Sequence, residues 1–351
     1  MGNKDFRGAR VLITGHSGFK GSWAAVLLEQ LGADVYGASI DSPDDHKHVF
    51  HEYSVASVVK LGNELNFDVS KQSEVERLLT ENEFDYIFHF AAQAIVSNSI
   101  IDPISTFQTN VIGAGNILHF SRLLQPDATV ILVTSDKCYE PDQEALPYNE
   151  AHTLGGDDPY SGSKAAAEIL FASFMRTYKP GSWRNGVATV RAGNVFGGGD
   201  WSPKRLAPDL VRNAMLGIPT RLRLPNATRP WTYVLDIVYG YLLLALKLRS
   251  GQVQSGESWN FASGERLTVI EFAELLSSHL GGDIDGNSME EFEEVGFLEL
   301  DAKKARQELG WAPQFDLETA LDITSQWYAK PNIRADKSMF LESYLRALGD
   351  G

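Results

Sequence analysis

The stretch Arg10-Val11-Leu12-Ile13-Thr14-Gly15-His16-Ser17-Gly18-Phe19-Lys20-Gly21 decides the fold. Its first five residues form an apolar run that reads as a buried parallel strand. An Ala- and Leu-rich helical pattern follows over 19–31, and Gly32 is placed to end it. Strand, glycine turn and helix in that order are the context that supports a dinucleotide fingerprint. Glycines let the backbone turn tightly and approach a pyrophosphate, which rests on the helix N-terminus. On this reading Gly15, Ser17, Gly18, Phe19, Lys20 and Gly21 line the cofactor. The spacing is Gly-x-x-Gly-x-x-Gly rather than Gly-x-Gly-x-x-Gly, and the competing reading is a plain glycine-rich βα turn.

Working outward, strand patterns at 34–39, 61–66, 85–91, 129–135 and 187–193 alternate with helix patterns at 71–80, 104–124 and 160–178. This alternation predicts an α/β chain built on a Rossmann-type doubly wound parallel sheet. Beyond Gly197 the pattern turns irregular, with helix patterns at 234–249, 268–280 and 301–309. We expect residues 1–194 to form the dinucleotide-binding domain, with a returning segment near 234–262. Residues 195–351 should form mainly a smaller, mixed substrate-binding domain, and 281–294 read as an acidic surface loop.

A chain of 351 residues can bury such a core. The net charge of −15 argues against a nucleic-acid partner, whose binding face needs a positive surplus. The single cysteine, Cys138, excludes an intramolecular disulfide and fits a reducing compartment. The longest apolar stretch, around Ile237 to Leu248, is too short for a bilayer. The polar N-terminus lacks a signal-peptide core, and Phe6 stands where myristoylation wants Ser or Thr. A cytoplasmic protein without membrane partner or metal is expected.

The carboxyl ends of such strands hold the ligands. Ser39 and Asp41 follow the second strand. A carboxylate there suits the adenosine ribose hydroxyls of NAD, and no arginine stands ready for the 2′-phosphate of NADP; a solvated loop aspartate is the alternative. Asp68-Val69 reads either as a contact to the adenine amino group or as a helix cap. The fourth strand ends Phe88-His89-Phe90-Ala91-Ala92-Gln93, where small residues let a cofactor pass closely and His89 reads as a core histidine. Thr109 and Asn110 fall in a helix pattern. A mid-helix asparagine needs a partner, expected here near the site.

The fifth strand ends Thr134-Ser135-Asp136-Lys137-Cys138-Tyr139. Ser135 can bind a sugar hydroxyl, Asp136 can serve as an acid and Lys137 as a base once burial tunes them. A solvated turn with a salt bridge is the alternative, and Cys138 reads as a packing residue. Tyr160 and Lys164, four apart, share a helix face. An ammonium beside a phenol lowers the phenol's pKa, which makes Tyr160 a base nearer neutral pH. Later come Arg191, Lys204, Arg205, Arg223 and Arg229. Clustered arginines in an acidic chain suit a diphosphate clamp, or else serve surface solubility. Gln93, Asn194, Arg205, Arg223, Arg229 and Tyr233 are the expected substrate contacts.

Together these residues resemble the extended short-chain dehydrogenase/reductases from Val11 to about Trp311 and, among them, the CDP-glucose 4,6-dehydratases. The likeness is carried by Gly15 through Trp23, Thr134 through Tyr139, Asp158-Pro159-Tyr160-Ser161, Arg191 through Val195 with Gly197 through Trp201, and Arg229-Pro230-Trp231. Most sugar-nucleotide dehydratases carry glutamate where Lys137 stands, and the CDP-glucose dehydratases resemble this chain in having lysine.

The resemblance implies a tightly held NAD and a nucleotide-sugar substrate, a CDP-hexose. Tyr160 would take the 4-hydroxyl proton with Ser135 and Lys164 assisting. Lys137 would remove the C5 proton, and Asp136 would protonate the departing 6-hydroxyl. It also implies a homodimer through the 104–124 and 160–178 helix patterns. The chain departs from the family at Val96-Ser97-Asn98, at residues 140–147 and at Glu293-Glu294, all expected on the substrate side. A 4-epimerase or reductase needs Tyr160 and Lys164 but not Asp136-Lys137. A non-catalytic NAD-binding regulator usually loses groups that are all retained here.

Overall fold

A computed structural model describes residues 5–43, 48–59, 62–141, 147–289, 298–329 and 334–349. Its strands are β1 (Arg10–Thr14), β2 (Asp34–Ser39), β3 (Gly62–Leu65), β4 (Tyr86–His89), β5 (Thr129–Val133), β6 (Val187–Ala192), β7 (Asn194–Phe196), β8 (Thr220–Arg223), β9 (Thr228–Tyr233), β10 (Glu257–Phe261), β11 (Arg266–Thr268) and β12 (Ile284–Met289). Seven of them form one sheet in the order β10-β6-β5-β4-β1-β2-β3, every neighbour parallel. Chain order reverses between β1 and β4, and a ligand crevice opens at the carboxyl edge of such a reversal.

The central strands β1, β4 and β5 are largely apolar because both faces of the sheet are covered there. Side chains alternate between the faces. Val11 and Ile13 pack with Trp23 and Ile237 on one side, and Leu12 packs with Leu78, Ile117 and Phe171 on the other. After β6 the chain leaves the sheet, builds β7 to β9, and returns through the helix Val234–Arg249. β10 then pairs with β6 from Glu257 opposite Ala188 to Phe261 opposite Ala192. β7, β9 and β11 form a smaller sheet beside the carboxyl edge of the large one, and β8 and β12 form a ribbon.

Several segments differ from their sequence pattern, among them the helix expected at 301–309, which is largely a π-helical turn, Ala305–Leu309. Residues 104–124 are not one helix: Pro103–Phe107 and Gly113–Leu124 flank a π-helical turn, Gln108–Ile112. The turn admits an extra residue and re-aims Asn110. The expected acidic loop at 281–294 is corrected in part. Ile284–Met289 is a strand paired parallel with β8 and tied by Arg221 Nε donating to Asp285 Oδ2 at 2.9 Å. An edge offered by a distant segment decides this, not local propensity. Residues 290–297, with Glu293-Glu294, lie outside the described residues, as do 142–146. Among the described residues no helix is long and apolar enough to cross a membrane, and no cluster of His, Cys, Asp or Glu is placed to hold a metal.

Candidate active site

Gly15 turns the chain from β1 at φ +76°. A Cβ there would lie 2.6 Å from the Ala91 amide nitrogen, and one at Gly21 would lie 2.1 Å from the Gly15 carbonyl oxygen. Gly18 is the N-cap of the helix Phe19–Gln30, with no side-chain cap and no acid in the first turn. Its amides and positive dipole end therefore suit an anion. This cradle fits the pyrophosphate of a dinucleotide. Ser39 braces the loop from β2: its hydroxyl accepts from the Ser17 amide at 3.1 Å and bonds His16 Nδ1 at 2.8 Å. Asp41 is exposed just past β2.

Asp68 caps its own turn, Oδ1 accepting from the Ser70 amide at 3.0 Å and hydroxyl at 2.7 Å. Val69 beside it is buried. Ala91, Ala92 and Gln93 are half-buried beyond β4. The Gln93 side chain is already engaged, donating to Thr106 Oγ1 at 2.9 Å and accepting from the Ile95 amide at 2.6 Å. Asn110 accepts from the Gln93 amide at 2.9 Å and donates to Ser163 Oγ at 2.8 Å. It thus joins the loop after β4 to the helix of Tyr160. Thr109 lies half-buried in the same π-helical turn. His89 is a buried core histidine bonded to Thr14 Oγ1 at 2.7 Å, and burial pushes it down to about 3.

The helix Pro159–Tyr178 begins with Pro159 behind the cap Asp158, which accepts from the Tyr160 amide at 2.9 Å and the Ser161 amide at 3.0 Å. Tyr160 is buried, and its phenol bonds Ser135. Burial pushes the phenol up to about 12 against the pull of Ser135. The expected lowering by Lys164 is corrected here. Lys164 Nζ donates to the Val133 carbonyl at 3.3 Å, and burial with repulsion from Lys20 pushes it down to about 7.

Asp136 is buried. Oδ1 accepts from Ser135 Oγ at 3.0 Å, and Oδ2 has no partner. Burial raises its pKa against Lys137, Ser135, Arg229 and Lys20, which favour the carboxylate. An acid held toward its neutral form is ready to donate a proton. Lys137 is half-buried next to it. Lys20 also faces this group: burial and then Arg205 push it down to about 8, and Asp136 opposes them.

Arg229 is buried, its Nη1 donating to the Thr228 carbonyl at 3.0 Å, while Arg205 pairs with Asp200 at 3.4 Å. Asn194 begins β7 opposite Trp231. Arg223 lies on β8, 3.8 Å from Asp209. Tyr233 is buried and packs against Phe196, Phe315 and Tyr344. Arg191 is a second correction: the arginine expected in the clamp is buried against Glu168 at 2.7 Å. Glu168 escaped the sequence reading. Its one signal was a carboxylate in the Ala-rich run four residues past Lys164.

Comparison with known proteins gives the family and the fold. The family described as GDP-mannose 4,6 dehydratase matches residues 12–324. A CDP-glucose 4,6-dehydratase from Salmonella typhimurium is 34% identical over 342 residues, which cover 93% of each chain. A dTDP-glucose 4,6-dehydratase from Streptomyces venezuelae, solved with NAD, superposes with a TM-score of 0.77 at 25% identity, over 92% of this chain and 97% of its own. A UDP-glucose 4-epimerase from Thermotoga maritima reaches the same TM-score at 22% identity, over 91% of this chain and 98% of its own, so the backbone alone does not separate the two chemistries. With its sheet, its glycine cradle and its Tyr160 helix, this chain belongs to the GDP-mannose 4,6 dehydratase family of extended short-chain dehydrogenase/reductases.

Proposed function

We propose that this NAD-dependent dehydratase converts CDP-glucose to CDP-4-keto-6-deoxyglucose. One observation carries the reading: past β5, the buried carboxyl of Asp136 keeps an unpartnered oxygen beside Lys137 and the Ser135–Tyr160 pair. An epimerase or reductase has no use for that acid–base pair. The CDP assignment is supported by the Salmonella relative and by lysine at position 137. Asp41 and the lack of a nearby arginine support NAD over NADP.

When bound, NAD supplies the hydride acceptor for C4 and the hydride donor for C6. Tyr160 takes the proton of the 4-hydroxyl with Ser135 bonded to it and Lys164, one helical turn on, assisting. The 4-ketone acidifies C5, and Lys137 removes that proton. Asp136 gives its proton to the 6-hydroxyl, which leaves as water. The proton on Lys137 returns to C5 as C6 is reduced, and the one that Tyr160 took replaces the one that Asp136 gave. Arg205 and Arg229 take the diphosphate. The same reading gives 1–194 and the segment near 234–262 to NAD, gives 195–351 mainly to the substrate, and places a homodimer in the cytoplasm.

Incubation with CDP-, dTDP-, UDP- and GDP-glucose tests this, scored by NMR for a 4-keto-6-deoxy sugar. We expect product from CDP-glucose. A C4 epimer that keeps its 6-hydroxyl would transfer the chain to the epimerase reading, and product from another nucleotide alone would remove the CDP assignment.

A further inference from the structure

We propose that the buried ion pair Glu168–Arg191 is a positioning device for catalysis, fixing the helix that bears Tyr160 and Lys164 to the strand end that bears Ser135, Asp136 and Lys137. The proposal rests on the roles given above to those residues. Glu168 lies one helical turn past Lys164 and two past Tyr160. Its side chain is 1% exposed and that of Arg191 is 3%. Oε2 accepts from Arg191 Nη2 at 2.7 Å, Thr189 Oγ1 at 2.9 Å and Ser258 Oγ at 3.0 Å, and Oε1 accepts from Thr134 Oγ1 at 2.5 Å. One carboxylate therefore gathers β6, the edge strand β10 and the end of β5.

Arg191 extends the hold. Nη1 donates to Tyr139 Oη at 2.7 Å and to the Glu150 carbonyl at 3.3 Å, and the guanidinium lies 4.9 Å from the Tyr139 ring centroid. Tyr139 in turn donates to Asn260 Oδ1 at 2.7 Å. Thr134 immediately precedes Ser135, and Tyr139 follows Cys138. The pair thus grips both ends of the segment that presents the hydroxyl, the acid and the base, while Glu168 also belongs to the helix of the phenol. Stability alone accounts poorly for such a pair, because well-packed apolar side chains in place of a buried ion pair are often neutral or stabilising. A network of directional bonds that ties several elements through one carboxylate is suited to holding reacting groups in register.

The test uses the full-length protein with NAD and the nucleotide sugar that the parent turns over. Two variants serve: the double Glu168→Met/Arg191→Met, which strands neither charge, and Thr134→Val, which removes one hydroxyl. We expect the folded double variant to keep its NAD affinity and KM while kcat falls roughly 10²-fold, the cost of about 1 Å of misplacement. Thr134→Val should move kcat the same way to a smaller extent, again with KM unchanged. A folded double variant with the parent's kcat overturns the proposal, as does a fall in kcat that only tracks loss of folded protein. If the double variant does not fold, an unchanged kcat in Thr134→Val overturns it. If the parent turns over no nucleotide sugar, the functional reading has failed instead. Amide exchange then decides: faster exchange at 134–139 in Thr134→Val than in the parent supports the device, and equal exchange overturns it.

Discussion

In the proposed mechanism Lys137 and Tyr160 serve different proton transfers, so their loss should stop the reaction at different points. Tyr160→Phe removes the group that starts oxidation at C4. Neither reduced cofactor nor product should form, as followed by NADH absorbance and NMR. Lys137→Ala leaves Tyr160 in place and removes only the C5 base. Oxidation should survive while water loss slows by ~10²–10⁴-fold. NADH should then accumulate with a 4-ketohexose that keeps its 6-hydroxyl, and solvent deuterium exchange at C5 should fall. Dehydration at the parent rate would strip Lys137 of its role. At this scale the sequence was legible where the chemistry is contiguous, as in Ser135-Asp136-Lys137, or at helical spacing, as in Tyr160 and Lys164. It was illegible where the tertiary environment decides. Burial, not Lys164, dominates the Tyr160 phenol, and Arg191 could not be separated from the other arginines until Glu168, 23 residues away, came into contact.

The glycine turn was readable as an element because the strand, the turn and the helix each need their own residue types. Gly15→Ala should be strained by its positive φ and pressed against the Ala91 amide. A loss of about 1–3 kcal/mol in urea unfolding is expected, with weaker NAD binding by titration. The π-helical turn at Gln108–Ile112 was not readable, since its cause is Asn110 reaching Gln93 and Ser163 across the fold. The anchor of the C-terminal helix was equally hidden. Asp236, in the helix Val234–Arg249, accepts from Tyr344 Oη at 2.7 Å and from the Gln314 amide at 2.8 Å. Burial pushes its pKa from 3.8 up to about 6. A raised carboxyl favours the folded state fully below the unfolded value, and that contribution is lost as pH rises through about 6. Asp236→Asn keeps an acceptor for both donors and carries no charge. It should stabilise the protein at pH ~8 by up to about 3 kcal/mol, the shift at 1.36 kcal/mol per unit, and by far less near pH ~4. Melting curves at the two pH values check the sign, and a variant less stable at both would refute it.

For the whole molecule, one exposed face asks for a partner. Ile104 is 67% exposed, Ile112 51% and Ile169 53%, all on the helical segments expected to form a dimer interface, and Ile101, 80% exposed, ends the helix Val96–Ile101 just before the first of them. Apolar side chains in open water at these positions suit the same face of a second copy, since a two-fold interface must be self-complementary. The net charge works against this pairing: two copies at −15 each repel, and salt screens that repulsion while leaving apolar burial intact. We therefore expect a homodimer that tightens as salt rises from about 0.01 to about 0.15 M, where the Debye length falls from about 30 to about 8 Å. An interface dominated by ion pairs would loosen over the same range. Ile101→Glu/Ile104→Glu should give a folded monomer, because side chains this exposed contribute little to the subunit's own core. Sedimentation velocity at micromolar concentration reads both effects. A parent that sediments as a monomer throughout the salt range, or a double variant that stays dimeric, would show that these isoleucines do not form the interface.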